Sequence, residues 1–322
     1  MFTTNDIKYR SIFVINCLEN RGLRVKNGEL LLEDTKEQKT LTVMPFQKIL
    51  ALFIIGHITM TTPLIEKCRK YGVFISVMKP NLRPIFTFGI NAEANFMLRE
   101  KQYWMDKEDI SIPKIIVVNK IENQLRLLRN TRKKDILTNR AINACTQGLP
   151  LVDSANSLRD LMGLEGWVAK EFFKAYFQDL NWRSRMPRAK NDEINATLDI
   201  GYNILFNFIE SYLRLFGFDL YRGIYHQLWF KRKSLVCDLM EPFRCIIDCQ
   251  IRKSYNLGQF KNSDFRKVKS ELFLKDDKGK EYYNIFYNSL IKYKIAIFKY
   301  TQSYYRCFMQ SKKMTEYPKF IP

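Results

Sequence analysis

The chain contains two histidines, His57 and His226, so any chemistry that uses an imidazole has two candidates. His57 lies in the apolar run FIIGHITM, and we interpret it as a core or turn residue. His226 follows the glycine-containing segment GFDLYRGIY, which is typical of a turn after a helix. An acidic pair follows soon after it, within SLVCDLMEPFR. His226 is therefore the histidine whose surroundings favour chemistry.

Asp238 and Glu241 form that acidic pair, and their spacing places both carboxylates on one face of a helix. The proline after Glu241 cannot donate to the carbonyl of Asp238, so a helix begins or kinks there. Carboxylates inside apolar sequence need a neutralising cation. A divalent metal bound together with His226 would provide one, and so would ion pairs with Arg244 or Lys233. The spacing alone leaves both interpretations open.

Other kinds of site have weaker support. Cys237, Cys245 and Cys249 lie near His226, but the last two are four residues apart among apolar neighbours and lack zinc-knuckle spacing. The sequence has no GxSxG elbow and no GxxxxGK[ST] or GxGxxG loop, which disfavours serine hydrolases and the commonest nucleotide-driven functions. The seven cysteines form no CxxC pair, and we expect reduced, buried thiols.

The charge balance indicates the class of partner. The 322 residues include 53 Lys and Arg against 33 Asp and Glu, a formal net charge of +20. Such a chain favours an acidic polymer, nucleic acid first and an anionic membrane second. The uncharged run at residues 49–65 is broken by Gly, His, Thr and Pro, so a membrane span is not expected. The N-terminus shows no export signal, and we expect an intracellular protein.

The elements that must position these residues change along the chain. The first part has short β-branched and aromatic runs between turn signals, so it is predicted to be β-rich. Asn27 and Gly28 predict a two-residue hairpin turn, and one helix is predicted over residues 62–71. Beyond about residue 92 the apolar spacing is helical. We predict an α+β fold, with a small β-rich domain at residues 1–93 and a larger all-helical domain at residues 94–322.

The C-terminal tail, residues 251–322, carries half of the net charge. It holds 16 Lys and Arg against 6 Asp and Glu, with many Tyr and Phe residues interleaved. Such a mixture could pair lysines with phosphates and stack bases on rings. It is also typical of helices whose aromatic residues form the core and whose lysines face solvent. The sequence alone leaves the role of these aromatic residues open, with a core role favoured.

The order of several segments resembles the CRISPR-associated protein one family, the integrases of CRISPR spacer acquisition. The resemblance runs from GHITMTTPLIEKCRKYGVFISVM through KIENQLRLLR, LMGLEGWVAKEFFKAYF and NDEINATLDIGYNIL to GFDLYRGIYHQLWFKRKSLVCDLMEPFRCIIDCQI, over nearly the full chain. The last segment is the most specific. The family usually has Asn-Tyr before the Gly-Tyr of its central helix, whereas here Asp199 and Ile200 precede Gly201 and Tyr202.

The resemblance implies a metal site made by Glu165, His226 and Glu241, with Asp238 close by as a further catalytic residue. The implied cofactor is Mg²⁺ or Mn²⁺, since one histidine with two carboxylates suits Mn²⁺ well and Mg²⁺ acceptably. The implied reaction is attack by a DNA 3′-hydroxyl on a phosphodiester at the boundary of a CRISPR repeat. Rival hypotheses are a general metal-dependent DNA endonuclease and a DNA-binding scaffold without catalysis.

The resemblance also implies the partners. The family's N-terminal domain dimerises, and two homodimers are usually bridged by a small CRISPR adaptation partner protein. The DNA partners would be double-stranded, a prespacer and the CRISPR repeat, in the cytoplasm of a prokaryote, with no membrane. Basic residues near the proposed site are the candidates for DNA contacts, namely Arg188, Lys231, Arg232, Lys233 and Arg244.

Overall fold

The computed structural model describes residues 2–17, 20–89, 94–132, 134–180, 182, 184–187, 189–226 and 229–322. The N-terminal part contains the strands β1 (Ser11–Cys17), β2 (Arg21–Lys26), β3 (Glu29–Asp34), β4 (Lys39–Pro45), β5 (Ile49–Gly56), β6 (Phe74–Met78) and β7 (Pro84–Phe88). In one sheet the order is β1-β5-β6-β7, with the first three strands parallel and β7 antiparallel to β6. In the other sheet β2, β3 and β4 form an antiparallel meander.

The two local predictions for this part are confirmed. Asn27 and Gly28 have φ values of 50° and 79° and join β2 to β3, as a type I′ turn requires. A helix spans Thr62–Tyr71, with a proline in its first turn, and Gly72 ends it in the left-handed region with φ of 64°. Both features follow from local backbone preferences, which is why the sequence predicts them.

The helices are α1 (Thr4–Tyr9), α2 (Thr62–Tyr71), α3 (Phe96–Trp104), α4 (Ser111–Arg129), α5 (Ile136–Ser154), α6 (Leu158–Tyr176), α7 (Glu193–Phe216), α8 (Ser234–Met240), α9 (Arg244–Asn256), α10 (Gly279–Ile291) and α11 (Lys294–Met309). The C-terminal part also contains a short antiparallel hairpin of β8 (Phe265–Val268) and β9 (Glu271–Leu274), which the prediction of an all-helical domain missed. With that addition, the predicted α+β class, β-rich first and helical later, is confirmed. Within the described ranges no helix is long and apolar enough to cross a membrane.

Strand β5 is buried on both faces and connects the sheet to the helical layer. On one face Phe53 stacks on Phe208 of α7 with ring centroids 6.2 Å apart, and it lies 5.2 Å from the ring of Tyr287 in α10. On the other face Leu52 and Ile54 pack in a second core beneath the meander and α2. The continuous apolar run of β5 is explained by this double burial. The proposed domain boundary at 93/94 adjoins residues outside the described ranges, and the division remains a prediction.

The aromatic residues of the tail belong mainly to the core. Tyr282, Phe286, Tyr287 and Phe298 are at most 1% exposed. Their burial decides the open question from the sequence in favour of packing, and it leaves the lysines of this segment as the charged surface. The cysteines are all free thiols; five are buried, but Cys237 is half-buried and Cys249 is exposed, contrary to the prediction of uniform burial.

Candidate active site

Two carboxylates from different helices meet at one buried ammonium group. Lys120 lies in α4, Glu165 in α6 and Glu241 in a short 3₁₀ turn between α8 and α9. The Lys120 Nζ contacts Oε1 of Glu165 and lies 2.6 Å from Oε2 of Glu241. The side chains of Lys120 and Glu241 are only 10% and 4% exposed. Residues distant in sequence thus form one charged cluster, which the packing of α4 against α6 and α9 creates.

Arg244 is the second cation of this cluster. Its guanidinium lies 2.8 Å from Oε1 of Glu241 and 4.5 Å from the ring centroid of Tyr202. Burial by itself raises the pKa of Glu241, but the nearby charges of Arg244 and Lys120 lower that pKa to about 2. For Lys120, burial lowers the pKa but Glu165 and Glu241 outweigh it, so the pKa is raised. Glu241 and Lys120 are therefore both ionised at neutral pH.

Asp238 is enclosed by the loop that precedes it. Its carboxylate accepts the backbone N–H groups of Ile224 and Tyr225, at 2.7 and 3.2 Å, and of His226 at 2.8 Å. The close approach requires Gly223, because a Cβ there would lie 2.9 Å from Oδ2 of Asp238. The side chain of Asp238 is fully buried. Asp238 therefore shapes the loop and has little accessible oxygen left.

The same carboxylate orients His226. The Nδ1 of the imidazole lies 2.7 Å from Oδ1 of Asp238. Because this carboxylate already accepts backbone N–H groups, we assign Nδ1 as the donor, which leaves Nε2 of a neutral ring with a free lone pair. The ring also packs edge-on against Tyr225, with centroids 5.2 Å apart. The Tyr225 hydroxyl donates to Oε2 of Glu165 at 3.1 Å, which connects the histidine loop to the carboxylate cluster.

The turn that carries Glu241 has the break that the sequence predicts. Helix α8 ends at Met240, the 3₁₀ turn covers Glu241–Phe243, and α9 begins at Arg244. Asn123 of α4 donates to the carbonyl of Pro242 at 3.0 Å. This hydrogen bond attaches the turn to the helix that carries Lys120.

The structure separates the pair of carboxylates that the sequence groups together. Glu241 binds Arg244 and Lys120, whereas Asp238 binds the loop around His226. Lys233, the other cation considered from the sequence, lies 2.6 Å from the buried carboxylate of Glu210 instead. The ammonium of Lys233 is thus paired with a carboxylate within the fold, which weakens its attraction for a DNA phosphate.

Two members of the site were missed by the sequence reasoning, Lys120 and Tyr225. A signal for Lys120 existed, because it lies on the apolar face of α4, one turn beyond Ile116 and Val117, which are buried. A lysine at such a position requires a buried anion. The partners of Lys120 lie 45 and 121 residues further along the chain, so only the folded structure identifies them.

Two of the remaining basic candidates, Lys231 and Arg232, follow His226 closely in the sequence. Lys231 is exposed, and its ammonium lies 5.0 Å from the ring centroid of Phe230. Trp229 and Phe230 are themselves 75% and 83% exposed. Arg188 lies outside the described residues. No group of three or more His, Cys, Asp or Glu side chains in the described part of the chain is arranged to hold a metal by itself.

The chain resembles known proteins both in sequence and in fold. A family model described as "CRISPR associated protein Cas1" matches residues 17–288. The "CRISPR-associated endonuclease Cas1 1" of Thermodesulfovibrio yellowstonii is 26% identical over 264 residues, which are 78% of this chain and 82% of the relative.

Two solved structures share the fold. A chain of a "Cas6-RT-Cas1--Cas2 complex" matches with a TM-score of 0.79 and 20% identity, over 97% of this chain and 36% of that chain. A "Casposase bound to integration product" matches with a TM-score of 0.78 and 21% identity, over 97% of this chain and 94% of that chain. At these identities the likeness concerns the fold.

Proposed function

This chain belongs to the CRISPR-associated protein Cas1 family, and from that membership we propose that it is a metal-dependent DNA integrase with endonuclease activity. Its reaction would insert short DNA into a CRISPR array. The observation that carries the metal-dependent chemistry is the meeting of Glu165 and Glu241 at one buried cation, beside an imidazole that Asp238 orients.

The chemistry of the donor atoms fits a divalent metal, although the ammonium of Lys120 stands between the two carboxylates in this structure. The Lys120 ammonium stands where positive charge is needed between two carboxylates, and its contact with Oε2 of Glu241 is a charge contact without hydrogen-bond alignment. The Nε2 of His226 would supply a nitrogen ligand, and the carboxylate that binds its Nδ1 is the partner that metal-binding histidines usually have. Carboxylate oxygens with one imidazole suit Mn²⁺ and Mg²⁺.

We assign Glu165, Glu241 and His226 as the residues that would hold the metal. Asp238 is not a direct ligand in this proposal, because backbone N–H groups and His226 already occupy its oxygens. A bound ion would favour deprotonation of the attacking hydroxyl and stabilise the charge that develops on the phosphate.

Three contacts would keep the proposed ligands in place. Arg244 fixes one oxygen of Glu241, and Tyr225 fixes one oxygen of Glu165. Asp238 holds the ring of His226 in one tautomer. Polar groups that are oriented before the reaction lower its activation barrier, because they need not reorganise as charge develops.

In the proposed reaction a bond forms between a DNA 3′-oxygen and phosphorus, and the phosphodiester bond to another 3′-oxygen breaks. The attacking hydroxyl loses a proton and the departing oxygen gains one. Water in place of the attacking hydroxyl gives endonuclease cleavage by the same displacement. The names of the relatives, an endonuclease and a casposase bound to its integration product, support both outcomes.

We also propose the partners of the reaction. Double-stranded DNA, as prespacer and as CRISPR repeat, fits the net charge of +20. A small adaptation partner protein would bridge two homodimers formed through the N-terminal β-rich part, and the likeness to a chain of a solved complex that includes Cas2 supports such an assembly. The expected location is the cytoplasm of a prokaryote.

The test is an integration assay with a supercoiled plasmid that carries the CRISPR repeat. Duplexes with 3′-hydroxyl ends, the protein, its small partner and Mn²⁺ should give joined products. Duplexes with 3′-dideoxy ends should give none, and EDTA should abolish the reaction. Nicked plasmid without joining would instead support a general endonuclease. DNA binding that survives EDTA, with neither product in Mn²⁺, would support the non-catalytic scaffold.

A further inference from the structure

We infer that Lys120 is the built-in counter-cation of the metal-free site, and that its ammonium has to release both carboxylates before a divalent ion can bind them. This inference rests on the metal site proposed above. Lys120 would not itself bind the metal, but it would control how readily the metal enters.

The contacts divide the four carboxylate oxygens into two kinds. Arg244 holds Oε1 of Glu241 at 2.8 Å, and the Tyr225 hydroxyl holds Oε2 of Glu165 at 3.1 Å. The other oxygen of each carboxylate faces Lys120. Each carboxylate is therefore anchored through one oxygen and shares the second with the ammonium.

A metal and the ammonium cannot use the two shared oxygens in the same arrangement. The Lys120 Nζ lies 2.6 Å from Oε2 of Glu241 and also contacts Glu165. Mg²⁺ binds carboxylate oxygens at about 2.0–2.1 Å, so a divalent ion held by these two carboxylates would take the space of the ammonium. Arg244 and Tyr225 need not move, because they use the opposite oxygens.

The charges agree with this division. Without a metal, Lys120 and Arg244 balance Glu165 and Glu241, so the buried cluster is neutral. Removal of one cation would leave a buried carboxylate uncompensated, which is strongly destabilising in proteins. A divalent ion that entered without movement of Lys120 would face an ammonium at very short range, which is equally unfavourable.

The movement required is confined to a side chain. The backbone of α4 is fixed next to Lys120, because the side chains of Asn119 and Asn123 both donate to the carbonyl of Phe320, at 2.8 and 3.0 Å. Lysine has a flexible four-carbon stem with a compact charge at its end. The ammonium can therefore withdraw while the helix and the two carboxylates stay in place.

The test compares Lys120→Met with the wild-type chain, without DNA. Calorimetric titration with Mn²⁺ should show at least about tenfold tighter binding by the variant, because the competing charge is gone. The metal-free variant should melt about 5 °C or more below wild type, because the carboxylates are uncompensated. Saturating Mn²⁺ should close most of that gap, since the ion takes over the role of the ammonium.

Lys319→Met is the matched control. Lys319 is likewise a lysine paired with a glutamate, at 2.8 Å from Glu122 of α4, but its side chain is 46% exposed. The Mn²⁺ affinity and melting temperature of Lys319→Met should stay close to those of wild type, because exposed ion pairs contribute little to stability. A control that tightened Mn²⁺ binding as much as Lys120→Met would reduce the effect to net charge and overturn the inference.

The outcomes separate this inference from the proposed function. If wild type binds Mn²⁺ and Lys120→Met binds it no more tightly, the inference is wrong and the metal site stands. If neither protein binds Mn²⁺, the metal site itself is wrong, and the inference with it. Should Lys120→Met not fold without metal, refolding in Mn²⁺ is the expected rescue. Lys120→Gln, which keeps a polar group without the charge, should shift both readouts in the same direction.

Discussion

Asp238 and Glu241 lie three residues apart, yet the fold gives them different partners. Glu241 pairs with two cations, whereas Asp238 holds a loop and an imidazole. A carboxylate that accepts backbone N–H groups holds the backbone in place. A carboxylate that faces a buried ammonium group can instead bind another cation in place of the ammonium. The difference predicts different consequences of mutation at the two positions.

Substitution of Glu165, His226 or Glu241 by Ala should each lower the integration rate about a hundredfold or more, because each change removes a group that would hold the ion. DNA affinity should change little, since contacts with the phosphate backbone supply most of it. Integration rates and filter-binding affinities measure the two effects. Glu122→Ala, which removes an exposed carboxylate on α4, is the control and should keep near wild-type activity. A near wild-type rate for Glu165→Ala would remove that residue from the proposed site.

Asp248 predicts a pH dependence of stability. Burial raises its pKa from 3.8 to about 7, although the Tyr202 hydroxyl donates to it at 2.5 Å and opposes the shift. Between pH 3.8 and about pH 7 the folded protein holds a proton that the unfolded chain has lost, so the free energy of unfolding falls as the pH rises. The fall should reach up to about 4 kcal/mol by slightly alkaline pH.

Asp248→Asn should flatten this pH dependence, because the amide stays neutral in both states. Urea unfolding at a series of pH values measures the slope. Asp276→Asn, at a side chain that is 79% exposed, should leave the slope unchanged. An unchanged slope in Asp248→Asn would mean that this carboxyl does not retain its proton in the folded protein.

At the scale of elements, the site depends on how a loop and a helix start pack together. The loop after α7 folds over the first turn of α8, and Gly223 makes the approach possible. A Cβ at Gly223 would lie 2.6 Å from Cβ of Ser234, closer than packed atoms allow. The orientation of His226 is therefore a property of this loop packing.

Gly223→Ala should displace the loop and with it His226. We expect overpacking to lower the free energy of unfolding by about 1–3 kcal/mol. The integration rate should fall by more than the smaller folded fraction alone would cause, because His226 is displaced. Gly163→Ala is the matched control, because α6 has open space at that position, and it should stabilise the helix by up to about 1 kcal/mol. Thermal melts measure the stability of both variants, and integration assays measure their rates. Wild-type activity in Gly223→Ala would show that the loop tolerates the extra methyl group.

At the scale of the whole molecule, the net charge of +20 predicts DNA binding that weakens steeply with salt, because bound phosphates release counterions. Reversal of Lys231 and Arg232 to Glu should weaken binding more than reversal of Lys312 and Lys313, since the first pair follows His226 by five and six residues in the sequence. Lys233 is left out because it pairs with Glu210. Binding measured over a salt series tests both statements. Equal losses would indicate diffuse surface binding, and a flat salt response would contradict a nucleic-acid partner.

The sequence by itself determined the features that depend on neighbouring residues. The hairpin turn at Asn27 and Gly28, the helix over Thr62–Tyr71 and the helix break before Arg244 follow from backbone preferences and from proline. Charge and the order of segments were sufficient to suggest a nucleic-acid partner and the family. Periodicity was not sufficient to reveal the short β8–β9 hairpin, whose four-residue strands are too brief for a clear pattern.

Only the tertiary structure decided which charges are partners. Spacing in sequence grouped Asp238 with Glu241 and offered Lys233 as a cation, but the fold pairs Glu241 with Lys120, 121 residues earlier. The physical reason is that a buried charge must find an opposite charge in space, and the packing of helices determines which side chains meet. Nothing local to Lys120 specifies that Glu165 and Glu241 converge on it.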